Sequence, residues 1–576
     1  MAGRTEYSCV SGARQMNNRF ATNRLCLYLR TASHLKPTQV AFQILRRVFP
    51  SRPPQLSNGA IPLREGVRLR CEPISGTFSG SDADFRFLNT VKTFSGEDID
   101  WESAEMPKLW RYNLHYFDYL VDADRSLGSK CHLISHWIAH NPPGAEDAWE
   151  PYTVSLRVVN WVKLFLQEPE IVEPEWSKSL YQQAAWLEKN IEYHILANHY
   201  LKNGKALFFF GVLFAGTDAE RWLQKGLRIL IEEADEQFLA DGGHYERSPM
   251  YHSICLEDYL DVLNLMIANS GLVSQEVVRR FTLKANRALD FLNDVCLPDG
   301  EIPLLNDSAL GIAPAPARIF EYARRVIGYE RPSLPTNMTI IKKAESGYFV
   351  IRNGQDMMII DCGLIGPDYQ PGHAHCDTLS YELALDGHRV VVDSGVFDYE
   401  AGVHRRYARS TKGHNTISVD GEEQSEIWGT FRVARRAKPI GATIAKLPER
   451  RVRFEGMHDG FRRLPGQVMH KRAIEYDGRG TWTVLDEVTG TGNHKAESAI
   501  HLHPDYSTKQ VNDCIEIVKK DGKAIVRLEL IGNALIRVEP GRYFPEFGIE
   551  HKNEVIVLSR SGTLPLEFGY RISKEC

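Results

Sequence analysis

At 576 residues, with 43% apolar and 25% charged side chains, the chain exceeds what one hydrophobic core usually organises, so two large domains or three smaller ones are expected. The same balance excludes a disordered chain and a membrane-embedded one. A net charge of −5 gives no global reason to expect a nucleic-acid partner, so any basic groove for an anionic ligand has to be local.

Residues 1–95 read as an N-terminal extension and lead-in segment with little periodicity. The first thirty residues carry basic side chains but no long apolar run, so no signal peptide is expected and the location by sequence is cytoplasmic. No stretch anywhere is apolar for long enough to span a membrane. The ten cysteines are scattered without a CxxC pair, which argues against a disulfide scaffold and a thiolate zinc site.

Residues 96–335 show helical spacing, punctuated by clusters such as Asn141-Pro142-Pro143-Gly144. Val278, Phe281, Ala285, Ala288 and Leu292 fall on one face at steps of three and four, before the breaker Pro298-Asp299-Gly300. Beyond about Pro335 the pattern changes to short β-branched and aromatic runs. Residues 471–476 and 481–485 read as a hairpin across Asp477-Gly478, and 524–530 as a later strand. Helices followed by strands predict an α domain and then an antiparallel β-sandwich over 336–576.

Three polar clusters interrupt this framework. Asn198-His199-Tyr200 brings polar groups to an otherwise apolar helical stretch; alone, it reads as a cap with a structural histidine. Asp241-Gly242-Gly243-His244-Tyr245-Glu246-Arg247-Ser248-Pro249-Met250-Tyr251-His252 frames proton-transferring groups between glycines and a proline, although a buried Tyr251 with a satisfied hydroxyl is the plainer account. In Gly372-His373-Ala374-His375 the two histidines project from one side if the segment is extended, which suits a metal or an anion. Asp393 and His414 complete a His, Asp, His set of borderline-metal ligands. Two basic clusters, residues 404–409 and 432–436, read equally well as solvated faces.

Taken together and in order, residues 108–114, Trp149-Glu150-Pro151-Tyr152, Asn198-His199, residues 242–248 and Gly372-His373-Ala374-His375 resemble the heparinase II/III-like family over roughly residues 80–440. The resemblance implies an α+β multidomain fold, an N-terminal α/α toroid followed by a C-terminal antiparallel β-sandwich, with an acidic polysaccharide in the cleft between them. It implies a polysaccharide lyase that cleaves a uronic-acid glycan by β-elimination. Asn198 then matches a carboxylate-neutralising asparagine assisted by His199, Tyr251 the acid at the leaving oxygen, and His373 a base or charge stabiliser. Glu246, Arg247, Arg405, Arg406 and Tyr407 fall to substrate binding, with Trp110, Tyr112 and Trp149 as sugar-stacking or core aromatics. His375, Asp393 and His414 match positions where zinc organises the site in part of the family, and no organic cofactor is expected.

The resemblance also implies a periplasmic or secreted protein, against the cytoplasmic reading of the N-terminus. Two other functions stay open. One is a non-catalytic glycan-binding or assembly protein of exopolysaccharide production; the other is a metal-dependent hydrolase using the His375, Asp393 and His414 set.

Overall fold

The structure is a computed structural model that describes residues 24–54, 61–76, 83–95, 98–511, 514–520 and 524–574. The chain's first 23 residues, on which most of the export-signal expectation rests, lie outside the described residues. Two helices, α1 (Arg24–Ala32) and α2 (Pro37–Val48), and a hairpin of β1 (Asp84–Phe87) and β2 (Thr90–Thr93) form the lead-in. Nine helices follow: α3 (Lys108–Tyr116), α4 (Leu127–His140), α5 (Pro151–Gln167), α6 (Pro174–Lys189), α7 (Ala197–Leu213), α8 (Thr217–Gln237), α9 (Pro249–Ala268), α10 (Gln275–Val295) and α11 (Pro316–Ile327). They make the α/α toroid. In α10 the expected face is the buried one, with Phe281, Ala285, Ala288 and Leu292 inside and Ser274 capping the first turn through Val277 N.

Helices α7 and α8 approach at backbone distance because glycines line their contact. A Cβ on Gly226 would stand 2.4 Å from the Phe208 amide nitrogen, and one on Gly211 2.4 Å from that of Leu223. Neither neighbour can yield without moving a helix. Gly226→Ala is therefore expected to lower stability by about 1–3 kcal/mol, as overpacking does elsewhere, despite alanine's better helix propensity; a shift of the urea midpoint to lower concentration checks it.

The sandwich begins with a five-stranded antiparallel sheet in the order β3 (Thr339–Lys343), β4 (Tyr348–Asn353), β5 (Asp356–Asp361), β6 (Tyr381–Leu385), β7 (His388–Val391). A four-stranded sheet includes β8 (Ile417–Val419), and an eight-stranded sheet runs from Pro439 to Lys574. In the latter the expected hairpin forms between 469–476 and 481–489: Tyr476 faces Trp482 and stacks on it at 4.2 Å. The Asp477 carboxylate accepts from the Arg479 and Thr481 amides, closing the turn. Phe349, Ile351, Met358 and Ile360 enter the core between the sheets. Their alternate neighbours Tyr348, Val350, Met357 and Ile359 pack instead on Phe291, Val295, Leu297 and Leu305 of the helical part. Strands β4 and β5 are thus covered on both faces, which explains the unbroken apolar run Met357-Met358-Ile359-Ile360.

The basic segment at 404–409 lies on a short helix, α12 (Val403–Arg409), embedded in this otherwise β region. All eight cysteines among the described residues are free.

Candidate active site

The site forms where the toroid meets the sandwich. Ser248 and Pro249 start α9 in the usual way: the Ser248 hydroxyl accepts from Tyr251 N at 3.2 Å and proline takes the first helical position. This fixes Tyr251 in the first turn. Its ring stacks on His373 with centroids 3.8 Å apart and 15° between planes, and its hydroxyl is 3.1 Å from that of Tyr399. Tyr399 in turn lies over the other side of the group, 6.1 Å from the His373 ring and 4.9 Å from the Arg405 guanidinium. Burial, followed by the neighbouring Tyr399, holds the Tyr251 phenol well above its usual value, so it carries its proton at neutral pH.

His373 comes from the sandwich side and hydrogen-bonds Glu246 of the toroid through Nδ1. Burial alone would raise the Glu246 carboxyl, but His373, and more weakly His244 and His199, outweigh it and hold it below the ordinary 4.5. An ionised Glu246 fixes the imidazole with Nδ1–H directed at the carboxylate and Nε2 turned away. Glu246 therefore serves His373, and at 2% exposure it is not a substrate-binding side chain.

Asn198 is the second residue of α7, after two residues of positive φ, the capping Leu196 (φ 65°) and Ala197 (φ 55°). Strain of this kind persists only where surroundings enforce it. Asn198 is 4% exposed, and among the described residues nothing hydrogen-bonds its side-chain amide. Next to it His199 lies 4.3 Å from the Tyr152 ring and pairs with the buried Glu192 at 3.1 Å. Helix α7 packs on α9, so Asn198 and His199 start a helix that contacts the one carrying Tyr251.

Residues 306–308 join the two halves. The Asp307 carboxylate pairs with both Arg405 amino groups and accepts from His375 Nε2 at 2.7 Å. Asn306 Oδ1 accepts from His375 N, its Nδ2 donates to Arg247 O, and Asp307 N donates to His373 O. Ser248 donates to Asp307 O and meets the Ser308 hydroxyl. The loop that carries His373 is thereby locked against the start of the Tyr251 helix.

Several sequence expectations need correction. Arg405 is 2% exposed, and its fork is spent on Asp307 and on backbone carbonyls of Gly372 and Thr430. Arg247 donates to the carbonyls of Ser346, Tyr245 and Glu345, so it clasps the toroid to the sandwich rather than facing a ligand. Trp110 and Trp149 are 1% and 3% exposed, with their indoles donating to Thr90 O and Asn141 O inside the helical core, where no sugar can stack. Tyr112 bonds Glu150, Tyr407 packs edge-on against Phe544, and Arg406 is exposed. Tyr399 and Asp307 were not singled out from the sequence.

The segment holding His373 and His375 is a turn, with Ala374 N donating to Pro371 O, and the two rings bond different carboxylates, Glu246 and Asp307. His375 and His414 lie 5.2 Å apart, and each leaves one ring nitrogen buried without a partner, Nδ1 and Nε2 respectively. Those two atoms are the donors a borderline metal wants. Asp393, however, is engaged with His414 Nδ1 at 2.7 Å, and among the described residues no three His, Cys, Asp or Glu are gathered around one point. The expected three-ligand set is not assembled in this arrangement, and no step below runs through a metal.

Comparison with known proteins agrees with the architecture. The chain is 26% identical over 370 residues to a heparin-sulfate lyase of Pedobacter heparinus, covering 57% of this chain and 54% of that protein. It thus spans about half the length of that relative. It is 24% identical over 504 residues to the FtsZ-localized protein C of Caulobacter vibrioides, covering 80% and 81% of the two chains. The crystal structure of heparinase III superposes with a TM-score of 0.66 at 18% identity over 83% of this chain and 79% of that one, a likeness of fold. Residues 9–324 match the Heparinase II/III N-terminus and residues 339–571 the Heparinase II/III-like C-terminal region, so the chain belongs to the heparinase II/III-like family.

Proposed function

We propose that the protein is a polysaccharide lyase that breaks a uronic-acid glycan by β-elimination. The observation that carries this reading is the buried stack of Tyr251 on His373, with Glu246 on one side and the Tyr399 hydroxyl on the other. Elimination needs a base for the C5 proton, a group that neutralises the adjacent carboxylate, and an acid for the 4-oxygen. His373, held by Glu246 with one nitrogen turned away, suits the base. As the proton leaves, its electron pair forms the C4–C5 double bond and the C4–O bond breaks. Tyr251, protonated at neutral pH, suits the acid that caps the departing oxygen. The unpartnered Asn198 amide suits the carboxylate, whose charge spreads as C5 loses its proton.

Incubating the protein with a panel of uronic-acid polysaccharides tests the class of reaction. Elimination leaves a 4,5-unsaturated uronate that absorbs in the ultraviolet, and hydrolysis leaves a saturated end. A saturated product, or none from any such glycan, would sink the proposal. Within an active pair, Glu246→Gln is expected to lower kcat on the order of 10²- to 10⁴-fold with little change in KM, because it removes the orientation of the base without touching the cleft. The sign of the pH effect follows from the depressed carboxyl: the Glu246–His373 pair is intact above the ordinary carboxylate range and is lost as pH falls through the lowered value.

A glycan-binding or assembly protein without turnover is the second reading. It predicts binding of the same glycans with neither product.

A further inference from the structure

Helices α1 and α2 turn most of their large apolar side chains to solvent, with Phe42 on Tyr193 at 4.5 Å and Tyr28 on Trp428 at 4.7 Å as the inward exceptions, whereas the apolar stripe of a surface helix ordinarily faces the protein. The inward side of α1 presents Arg30, which pairs with Glu426 at 2.9 Å, and Thr31, whose hydroxyl accepts from the Trp428 indole at 3.0 Å. The inward side of α2 presents Gln39, 2% exposed, its amide donating to the carbonyls of Ile195 and Tyr369, and Arg46, which bonds His194. Solvent instead meets Leu25 and Leu29 on α1, Val40, Ile44 and Val48 on α2, and Phe49 just beyond it. Leu29, Ile44, Val48 and Phe49 are 61%, 58%, 60% and 72% exposed. Eight of the eighteen exposed large apolar side chains among the described residues lie between residues 25 and 49, so this is a concentrated patch rather than ordinary scatter.

The charge of this segment is one-sided along the sequence, although Lys36 and Arg30 pair with Glu236 and Glu426 of the body. From residue 7 to residue 64 the sequence has nine Lys and Arg and no Asp or Glu, in a chain of net charge −5. Arg24, Arg47 and Arg52 are exposed and have no ion-pair or hydrogen-bond partner among the described residues.

We propose that α1 and α2 form a docking surface for an anionic lipid bilayer. Their apolar side chains sink to the headgroup and acyl boundary while the arginines meet lipid phosphates. A second copy of the chain is the weaker occupant, because face-to-face packing would set two positive segments against each other. Docking anchors the protein on a membrane without crossing it: no helix among the described residues is long and apolar enough to span one. Both helices are tied to the body, α1 through the strand-pair segment at Glu426 and Trp428 and α2 through Tyr369 and through Ile195, three residues before Asn198.

The test is co-sedimentation of the full chain with vesicles of phosphatidylcholine alone and with vesicles in which about a third of the lipid is phosphatidylglycerol. Binding is expected to the anionic vesicles only and to weaken with salt. The double substitution Ile44→Asp with Val48→Asp is expected to reduce it roughly tenfold or more at unchanged melting temperature, since both side chains already face solvent. Arg47→Glu should weaken binding to anionic vesicles as well. Absence of binding to anionic vesicles, or equal binding by the Ile44→Asp, Val48→Asp variant, overturns the proposal. So does a dimer in solution that the same variant splits without any vesicle binding by the parent protein. Each readout is independent of lyase activity.

Discussion

Tyr251→Phe is expected to reduce turnover of a uronic-acid glycan on the order of 10²- to 10⁴-fold while the protein stays folded. Only one oxygen is removed. The phenylalanine ring keeps the 3.8 Å stack on His373, and the position at the start of α9 is set by Ser248 and Pro249, not by the phenol. The Tyr399 hydroxyl loses a partner 3.1 Å away, which costs about 1–3 kcal/mol at most. Substrate affinity should therefore persist while the proton for the departing oxygen is lost. Calorimetric titration of an inactive complex alongside the ultraviolet assay separates the two effects. Activity within a factor of a few of the parent would remove Tyr251 from the acid role and turn attention to Tyr399.

Asp307→Ala should have the largest effect on stability. The carboxylate is fully buried and opposes Arg405, itself 2% exposed, so its removal strands a cation in the interior at a cost of about 3–5 kcal/mol. It also removes the acceptor of His375 Nε2. Urea unfolding reads this loss directly. Residual folded protein is expected to be inactive, because the loop carrying His373 is held against Ser248 through this same segment. An unchanged urea midpoint would mean that Arg405 finds another acceptor.

The framework of the protein was legible because periodicity reports burial. The buried stripe on α10 and the alternating strands on either side of Asp477 depend on near neighbours, which is the information a sequence carries openly. The two-sided burial of β4 and β5 was visible only as an apolar run, without saying what covers the second face. In the lead-in Val40, Ile44 and Val48 do recur at a helical step, but a sequence does not show that such a face looks to solvent rather than to the protein.

The site was legible in part. The segments holding Asn198, Tyr251 and His373 stood out by polar density and by resemblance, but the bonds that define their chemistry join distant residues. Glu246 and His373 are 127 positions apart, and Tyr251 and Tyr399 are 148 apart. No local spacing announces such pairs. Arg405 and Arg247 looked like free forks because a sequence shows a guanidinium's charge and not its acceptors. The tryptophans looked available for the same reason. Asp307, within Asn306-Asp307-Ser308 after a Leu304-Leu305 pair, offered a signal that went unused: three consecutive polar residues following an apolar pair between two domains.

The sheet formed by β3 to β7 belongs to two cores at once. Neither half of the molecule is consequently a free-standing module. Cutting the chain near Pro335 would leave the helical fragment with Phe291, Val295 and Leu297 facing water, and the strand fragment with Tyr348, Val350, Met357 and Ile359 bare. Both pieces would be sticky, and neither would carry a complete site. Shuffling this toroid onto another sandwich would succeed only if the wall between them travelled with it.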